Sequence, residues 1–405
     1  MNPDTWAETP VTDRLPRPPL LFMALAAAVG TSTIYPMQPA IADVADSLGT
    51  QITAVGFALA CGPIGYMLGL GLLVPLVDRF APGRVLAAQF GVLACALAAS
   101  AAAGSATVLA PMIGLVGACS AVGAGLSSVA GRSAEPHRRA TVLGAVTAGI
   151  SVGILAGRIV GGWLADEIGW RAMLLVFAAT CGLLAVGCLT ALPALTGTAE
   201  RGYFSTLRSL PGLFVHHATL RVAAVRGFLW FFAFCAAWAG IAVALSEPPY
   251  SYSAERIGLY ALAGLSGILA TRIAGTRTDR DGARPVILAG LALAGTATVV
   301  MGFGLANTFV TLVCLAAFDA GLFAAQVANQ STILAIEPDA PARFNSAYML
   351  VYFTGGSLGT AFGAAAVEWF GWQATALIAA TAIVGAAIAT RNPPTVVVVG
   401  PGTRA

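Results

Sequence analysis

Twelve stretches of this 405-residue sequence are long and apolar enough to cross a lipid bilayer, and they limit what the chain can fold into. A spanning helix needs about 20 apolar residues, and inside lipid every backbone N–H and C=O must be bonded within the protein. The stretches are too long and too uniformly apolar for barrel strands, so each is predicted to be a helix. They lie near 20–42, 52–76, 85–104, 107–131, 142–164, 172–195, 222–245, 257–275, 285–304, 308–335, 346–367 and 373–390.

The composition excludes a soluble protein and several kinds of chemistry. Charged residues make up 10% of the chain, whereas soluble proteins carry about 25%. All 21 basic residues are arginine, so no lysine is present for a nucleotide-binding P-loop or a Schiff base. The histidines lie in polar segments, and the cysteines show no CxxC spacing. We therefore expect no metal, no cofactor and no enzymatic activity.

The arginines set the expected orientation, because cytoplasmic loops of membrane proteins are enriched in positive charge. With a cytoplasmic N-terminus, seventeen arginines fall on the cytoplasmic side and two, Arg171 and Arg256, on the other. An even number of spans then puts both termini in the cytoplasm, with the chain in the inner (cytoplasmic) membrane. The predicted segments are a cytoplasmic tail at 1–18, a six-helix bundle at 19–195, a cytoplasmic linker at 196–221, a six-helix bundle at 222–390 and a cytoplasmic tail at 391–405.

The two halves of the chain overlay at an offset of about 202 residues. Gly153, Gly157 and Gly161 map onto Gly355, Gly359 and Gly363 at this offset. The Asp-Arg pair at 78–79 likewise maps, at offset 201, onto the pair at 279–280. Parallel repeats of this kind are a transporter architecture, with the substrate site where the repeats meet.

The loop after span eight reads Gly275-Thr-Arg-Thr-Asp279-Arg280-Asp-Gly282-Ala-Arg284, which has the pattern G-x-x-x-D-R-x-G-x-R. The loop after span two keeps the Asp-Arg pair, but it lacks the leading glycine and its Gly-Arg pair comes two residues late. Together with twelve spans, the repeat and a central linker, these loops resemble the major facilitator superfamily over about residues 19–390. In that family the loop acid contacts a neighbouring helix N-terminus, where a carboxylate is favoured, and holds the cytoplasmic gate shut. The alternative is that the loops only anchor the chain by their positive charge. The resemblance implies gate-loop roles for Asp78, Arg79, Arg84, Gly275, Asp279, Arg280, Gly282 and Arg284.

Span five resembles the glycine-rich antiporter signature of drug exporters, with Arg158 where that motif has proline. Small residues spaced by four let helices approach closely in a membrane, so tight packing is the alternative interpretation, and both can hold. The residues concerned are Gly144, Gly153, Gly157, Gly161 and Gly162.

Arg158 in span five and Asp319 in span ten are the charges deepest in the apolar runs. A charge at the bilayer centre costs at least about 2.5–3.5 kcal/mol and usually faces a cavity or a partner. We predict that this pair serves proton coupling; a static ion pair is the alternative. In the family, spans one, four, seven and ten line the central cavity. Polar or aromatic residues on those spans are its predicted lining: Thr31, Tyr35, Gln38, Ser120, Trp238, Phe323, Gln326 and Gln330.

These features predict an all-α integral membrane protein with twelve transmembrane helices in two six-helix bundles, the fold of the major facilitator superfamily. The predicted function is secondary active transport of a small organic molecule by alternating access, with proton-coupled efflux (antiport) favoured by the span-five glycines. Proton-coupled uptake, facilitated diffusion and a non-transporting sensor remain alternatives. The proton gradient would supply the energy for transport. The expected partners are the small-molecule substrate and the lipid bilayer, and no nucleic acid is expected. The chain should be a monomer.

The predicted orientation can be tested by thiol labelling. In a variant without the native cysteines, Ser251→Cys, in the loop after span seven, should react with an impermeant thiol reagent in intact cells. Thr403→Cys, in the C-terminal tail, should react only after the membrane is permeabilised, because the arginine distribution puts that tail in the cytoplasm. Labelling in the opposite pattern would overturn the orientation.

Overall fold

The computed structural model describes residues 17–135, 138–192, 203–337 and 341–391, and within these ranges the regular structure is helical, without strands. Most of both predicted tails, 1–18 and 391–405, and the first part of the predicted linker lie outside the described residues.

Nine helices make up the described part of the first half. They are α1 (Arg17–Ser32), α2 (Ile41–Leu48), α3 (Ile52–Leu72), α4 (Val74–Arg79), α5 (Pro82–Ala101), α6 (Ala106–Ser120), α7 (Val122–Ser133), α8 (Arg139–Ile168) and α9 (Trp170–Ala191).

Seven helices follow in the described part of the second half. They are α10 (Tyr203–His216), α11 (Ala218–Ser246), α12 (Ala254–Leu259), α13 (Leu265–Asp281), α14 (Ala283–Gly304), α15 (Thr308–Leu334) and α16 (Pro341–Arg391). A 3₁₀ turn, Tyr260–Gly264, joins α12 to α13. The predicted linker is therefore partly helical, because α10 lies within it.

Ten helices in the described residues are long and apolar enough to cross a membrane. A shorter apolar helix, Pro19–Ser32, precedes them. The last of the ten is broken at Gly371, whose φ of 79° lies outside the helical region. Counting the short first helix and both parts of the last gives twelve segments, but the number of membrane crossings remains a prediction because the first helix is short.

Two predicted boundaries are wrong. Span one was expected to reach residue 42, but α1 ends at Ser32, shortly before Pro36 and Pro39. Proline lacks the N–H that continues a helix and its ring clashes with the preceding turn. The signature after span eight was expected to be a loop, but α13 continues through most of it and ends at Asp281. Gly282 then makes the turn with φ of 84°, a conformation that side chains other than glycine rarely adopt.

The internal repeat corresponds to one close helix crossing that occurs twice. A Cβ atom added to Gly153, Gly157 or Gly161 would overlap the backbone of α1 or of the turn that follows it. A Cβ atom added at the equivalent glycines of α16, 202 residues later, would overlap the backbone of α11. These crossings need glycine because the two backbones touch.

Gly144 is not part of this crossing, although the span-five signature includes it. No atom lies within 4 Å of a Cβ built at this residue. Gly149, which does contact α1, is followed at spacings of four by the other three glycines. Gly144 precedes Gly149 by five residues and so lies on another face of α8. Gly162, next to the crossing, contacts the backbone of α12 instead.

The two halves are joined at one end by carboxylates that accept hydrogen bonds from helix N-termini. Asp166, near the end of α8, accepts from the backbone N–H groups of Ala254 (3.1 Å) and Glu255 (2.8 Å), which begin α12. Glu368 of α16 accepts from the N–H of Thr53 at 3.2 Å, and also from its hydroxyl, at the start of α3. We call the part of the molecule that holds these contacts the closed end.

The closed end is opposite the end that carries most of the arginines. Helix α3 runs from the Glu368 contact toward Arg79, and α8 runs from Arg139 toward Asp166. We call the end that holds Arg79 and Arg139 the arginine-rich end. Contacts between the halves also extend inward from the closed end, where the Ser357 hydroxyl donates to the Ala60 carbonyl oxygen.

We expect the two carboxylates to stabilise closure of this end. A carboxylate at a helix N-terminus contributes about 0.3–1 kcal/mol, so Asp166→Asn with Glu368→Gln should raise the open-to-closed ratio roughly three- to thirtyfold. Spin labels at Gln51→Cys and Phe370→Cys, both exposed, would report this as a longer distance population. Glu167→Gln, an exposed neighbour of Asp166, is the matched control. An unchanged distance distribution in the double variant would contradict the closing role.

Candidate functional site

A cavity of about 160 Å³ lies between the halves. Its lining comes from α1 and the turn after it, and from α3, α8, α11, α15 and α16. It consists of Thr31, Ile34, Tyr35, Gln38, Leu59, Pro63, Tyr66, Ile150, Ile154, Arg158, Phe231, Phe234, Cys235, Trp238, Phe323, Tyr352, Phe353 and Thr360.

This lining overlaps the predicted one only in part. Spans one, seven and ten contribute Thr31, Tyr35, Gln38, Trp238 and Phe323 to the lining, and substrate binding by these residues stays a prediction. Among the described residues, however, none that line the cavity belongs to α6 or α7, the helices of span four. Spans two, five and eleven contribute instead, since they are the helices that carry the contacts between the halves.

Three predicted cavity residues are bonded elsewhere. Ser120 is fully buried and shares a hydrogen bond of 2.6 Å with Thr33 of the first half. Gln326 accepts from the Tyr348 hydroxyl at 2.6 Å. Gln330 donates to the Asn345 side chain at 2.9 Å. The two glutamines do share a face of α15, but this part of the face packs against α16 and not against the cavity. Polar side chains of α16 bond both amide groups.

Several aromatic lining residues were missed by sequence reasoning. Phe231 and Tyr352 stack with ring centroids 3.9 Å apart, and Phe353 packs edge-on against both. Tyr66 of α3 meets Phe353 at 4.9 Å from across the interface between the halves. The Tyr-Phe pair in span eleven was the available signal, but aromatic residues in a span pack against other helices as readily as they line a cavity.

Arg158 is held from several sides inside the cavity. Its side chain is 5% exposed, and its Nε–H donates to the Gln38 side-chain oxygen at 2.9 Å. The guanidinium carbon lies 4.7 Å from the centroid of the Tyr35 ring and 4.4 Å from that of a Trp238 ring. Aromatic faces attract cations, and more strongly where water is excluded. The arrangement therefore offsets part of the cost of burying this charge.

Asp319 contacts the edge of the same tryptophan, at its indole N–H. It is 2% exposed, and its Oδ1 accepts from the Trp238 indole N–H at 3.2 Å. A Cβ atom added to Gly264 would come within 3.0 Å of Oδ2, so the glycine makes room for the carboxyl group. No ion pair within 4 Å joins Asp319 to Arg158 among the described residues. Trp238 thus connects them, with its ring face toward the cation and its N–H toward the acid.

The first gate loop makes contacts within its own half. Asp78 accepts from the Ser128 hydroxyl at 2.8 Å and pairs with Arg132 at 3.5 Å. Arg132 also donates to the carbonyl oxygen of Val77 at 2.9 Å. The expected partner of this acid was a helix N-terminus, whereas these partners are side chains in the last two turns of α7. In this conformation the helix caps that join the halves form at the closed end instead.

The remaining gate-loop residues are mostly exposed. Asp279 and Arg280 lie on the last turn of α13, and Arg79 and Arg84 are exposed at the equivalent place in the first half. Arg284 donates to the carbonyl oxygen of Arg391 at 3.1 Å. Gly275 lies inside α13 with open space where a Cβ would stand, and Gly282 forms the turn described above. A gating role for these residues remains a prediction.

Known proteins similar to this chain are transporters. A family model described as Major Facilitator Superfamily matches residues 20–275. The uncharacterized transporter YgaY of Escherichia coli O157:H7 is 30% identical over 362 residues, which cover 89% of this chain and 92% of YgaY. "Probable transporter SCO4007" of Streptomyces coelicolor is 31% identical over 363 residues, covering 89% of this chain and 84% of that protein. Among solved structures, a mutant of nucleoside transporter NupG superposes with a TM-score of 0.76 at 14% identity, covering 92% of this chain and 99% of that chain.

The hydrogen bond between Trp238 and Asp319 should couple these residues energetically. Trp238→Phe keeps an aromatic face for Arg158 but removes the indole N–H. Measured by unfolding in detergent, a double-mutant cycle of Trp238→Phe and Asp319→Ala should give a coupling free energy of about 0.5–3 kcal/mol, the range for bonds to neutral or charged partners. Additive effects of the two changes would show that the bond contributes nothing.

Proposed function

We infer the function of this chain from its family: it belongs to the major facilitator superfamily, and it is therefore a multi-pass membrane transporter and not an enzyme. We propose that it moves a small organic molecule through the cavity between its halves, with coupling to protons. The rest of this proposal concerns the coupling, the direction and the substrate.

The observation that carries the proton coupling is the placement of Asp319. It is the only aspartate or glutamate among the buried residues that the structure describes, and Trp238 connects it to Arg158 at the cavity wall. Ionisable residues within a membrane usually mark a substrate or proton path. We propose that Asp319 takes up and releases the coupling proton, and that Arg158 responds to its charge or to the substrate.

Alternating access would use the two ends of the molecule in turn. The contacts of Asp166 and Glu368 hold one end closed, and their release would let the halves rock apart there. The Asp78 loop is proposed to hold the arginine-rich end in the opposite conformation, where its carboxylate would reach a helix N-terminus of the other half. Closing the arginine-rich end would form a carboxylate–helix contact of the same kind as those that break when the closed end opens. The gain at one end would therefore offset part of the loss at the other.

Export by proton antiport is the first candidate for direction, because span five resembles the glycine signature of antiporters. Uptake by proton symport is the second candidate, because one observation weakens the argument for antiport and one consideration of charge supports symport. Gly153, Gly157 and Gly161 are accounted for by their backbone contacts with the first helix. Moreover, a proton on Asp319 together with an anion near Arg158 would leave the net charge of the site unchanged. Substrate accumulation in vesicles with an imposed pH gradient separates the two candidates. A symporter accumulates substrate on the side to which protons flow, and an antiporter accumulates it on the opposite side.

We further propose that the protein works as a monomer in the inner (cytoplasmic) membrane, with both termini in the cytoplasm and the proton gradient as its energy source. The arginine distribution supports this orientation. A sensor on the same scaffold would bind a ligand without moving it. Counterflow of a labelled ligand in vesicles that contain the purified protein would exclude a sensor.

Asp319→Asn tests the proton carrier. Ligands would first be found by their stabilisation of the purified protein, and their transport then measured in vesicles. The variant should exchange ligand down its gradient but fail to concentrate it when a proton gradient is imposed. The reason is that an amide, unlike a carboxyl group, does not take up and release a proton. Asp46→Asn, the same change at an exposed residue, should behave as wild type.

Two outcomes would count against the carrier role. Normal proton-driven accumulation by Asp319→Asn would eliminate it. A purely structural role predicts instead that the single variant loses stability, and that Asp319→Asn combined with Arg158→Gln regains part of it, because no unpaired buried charge remains.

A further inference from the structure

We propose that the substrate is a small organic anion: a carboxylate attached to a single ring or similar planar apolar group, with the carboxylate bound by the two terminal nitrogens of Arg158. This inference rests on the proposed function and deepens it, since it assigns a chemical class to a transported molecule that the family alone does not specify.

The first step is the free edge of the Arg158 side chain. A guanidinium group has five N–H donors that lie in its plane. Tyr35 and Trp238 contact the group through their ring faces, and Gln38 takes the Nε–H. Neither Nη1 nor Nη2 has a hydrogen-bond partner among the described residues. The paired terminal donors of a guanidinium match the two oxygens of a carboxylate.

The second step is the charge of the cavity wall. Arg158 is the only charged residue among those that line the cavity. Asp319 is hydrogen-bonded to the indole N–H of Trp238 and is not part of the lining. A ligand in the cavity therefore meets one positive charge in a largely apolar setting, where electrostatic attraction is stronger than in water. This setting favours an anion and disfavours a cation.

A further polar atom in the lining also awaits a partner. The hydroxyl oxygen of Thr31 is buried and has no hydrogen-bond partner among the described residues. Buried polar groups are nearly always bonded in native proteins. A polar ligand group, or a water that accompanies it, would satisfy this hydroxyl. The two unmatched polar groups, on α1 and α8, thus border the same cavity.

The third step is the size and shape of the space. Pockets for drug-sized molecules measure about 300–1,000 Å³, whereas this cavity has about 160 Å³. One ring with a short acidic group is the appropriate scale. The walls are rich in aromatic faces, which pack favourably against planar groups in stacked or edge-on geometry. Tyr66, Phe234 and Tyr352 present such faces from three different helices.

The experiment compares three probes of one shape and different charge: benzoate, benzamide and benzylamine, which is a cation at neutral pH. Binding to the purified full-length protein in lipid nanodiscs would be measured by calorimetry. We expect benzoate to bind about ten- to a hundredfold more tightly than benzamide, the range for a hydrogen-bonded charge, and benzylamine to bind no better than benzamide.

Arg158→Gln should remove the preference for benzoate. Arg272→Gln, the same change at an exposed arginine of α13, is the matched control and should keep it. If Arg158→Gln does not fold, Arg158→Gln with Asp319→Asn restores electrical balance and should fold without binding benzoate. Arg158→Lys should retain a weakened preference, because an ammonium group keeps the charge but not the paired donors.

The results separate this inference from the proposed function. Benzoate bound no more tightly than benzamide would overturn the anion proposal, as would an unchanged preference in a folded Arg158→Gln protein. If benzamide or benzylamine were bound and accumulated by a proton gradient, the transport proposal would stand and the anion proposal would fail. If benzoate bound through Arg158 but a proton gradient drove no flux, the anion proposal would stand and the proton coupling would fail.

Discussion

The close crossing of α8 over α1 is the contact on which the cavity depends. Gly157 and Gly161 flank Arg158 and bring its backbone against Ser32 and Pro36. Because the two backbones are in contact, the Arg158 side chain lies beside Tyr35 and Gln38, which follow the end of α1. Both residues contact its guanidinium group. A larger side chain at either glycine would separate the helices and remove the guanidinium from both partners. Helix packing and the chemistry of the site therefore have the same origin.

The arginine within this glycine stretch also explains how α8 differs from the exporter signature that it resembles. Proline at that position would remove a backbone hydrogen bond and bend the helix. With arginine, α8 runs without interruption from Arg139 to Ile168. The chain thus gains a buried charge at the cavity wall where the signature has a kink, so the resemblance in glycine pattern does not extend to the geometry of the helix or to the polarity of the site.

The sequence was sufficient to predict the helical membrane fold, the family, and the depth of Arg158 and Asp319, because hydropathy and charge within a single span determine these features. It could not predict that Trp238 connects the two charges, since this depends on how α8, α11 and α15 face one another. For the same reason it placed Ser120, Gln326 and Gln330 at the cavity, although Ser120 is bonded to the turn after α1 and the two glutamines are bonded to α16. A helix-face argument identifies residues that point the same way but not what they meet.

The two helix caps at the closed end are related by the internal repeat. Asp166 and Glu368 are 202 residues apart, and so are Thr53 and Glu255. Asp166 accepts from the N–H of Glu255, and Glu368 accepts from the N–H of Thr53, so each acid bonds to the other half. Each half thus supplies one acid and one helix N-terminus to the other, as subunits do across a two-fold, self-complementary interface. A single six-helix half would present a surface that fits a second copy of itself. The contact therefore has the form expected of an ancestral homodimer whose two subunits became one polypeptide by gene duplication and fusion.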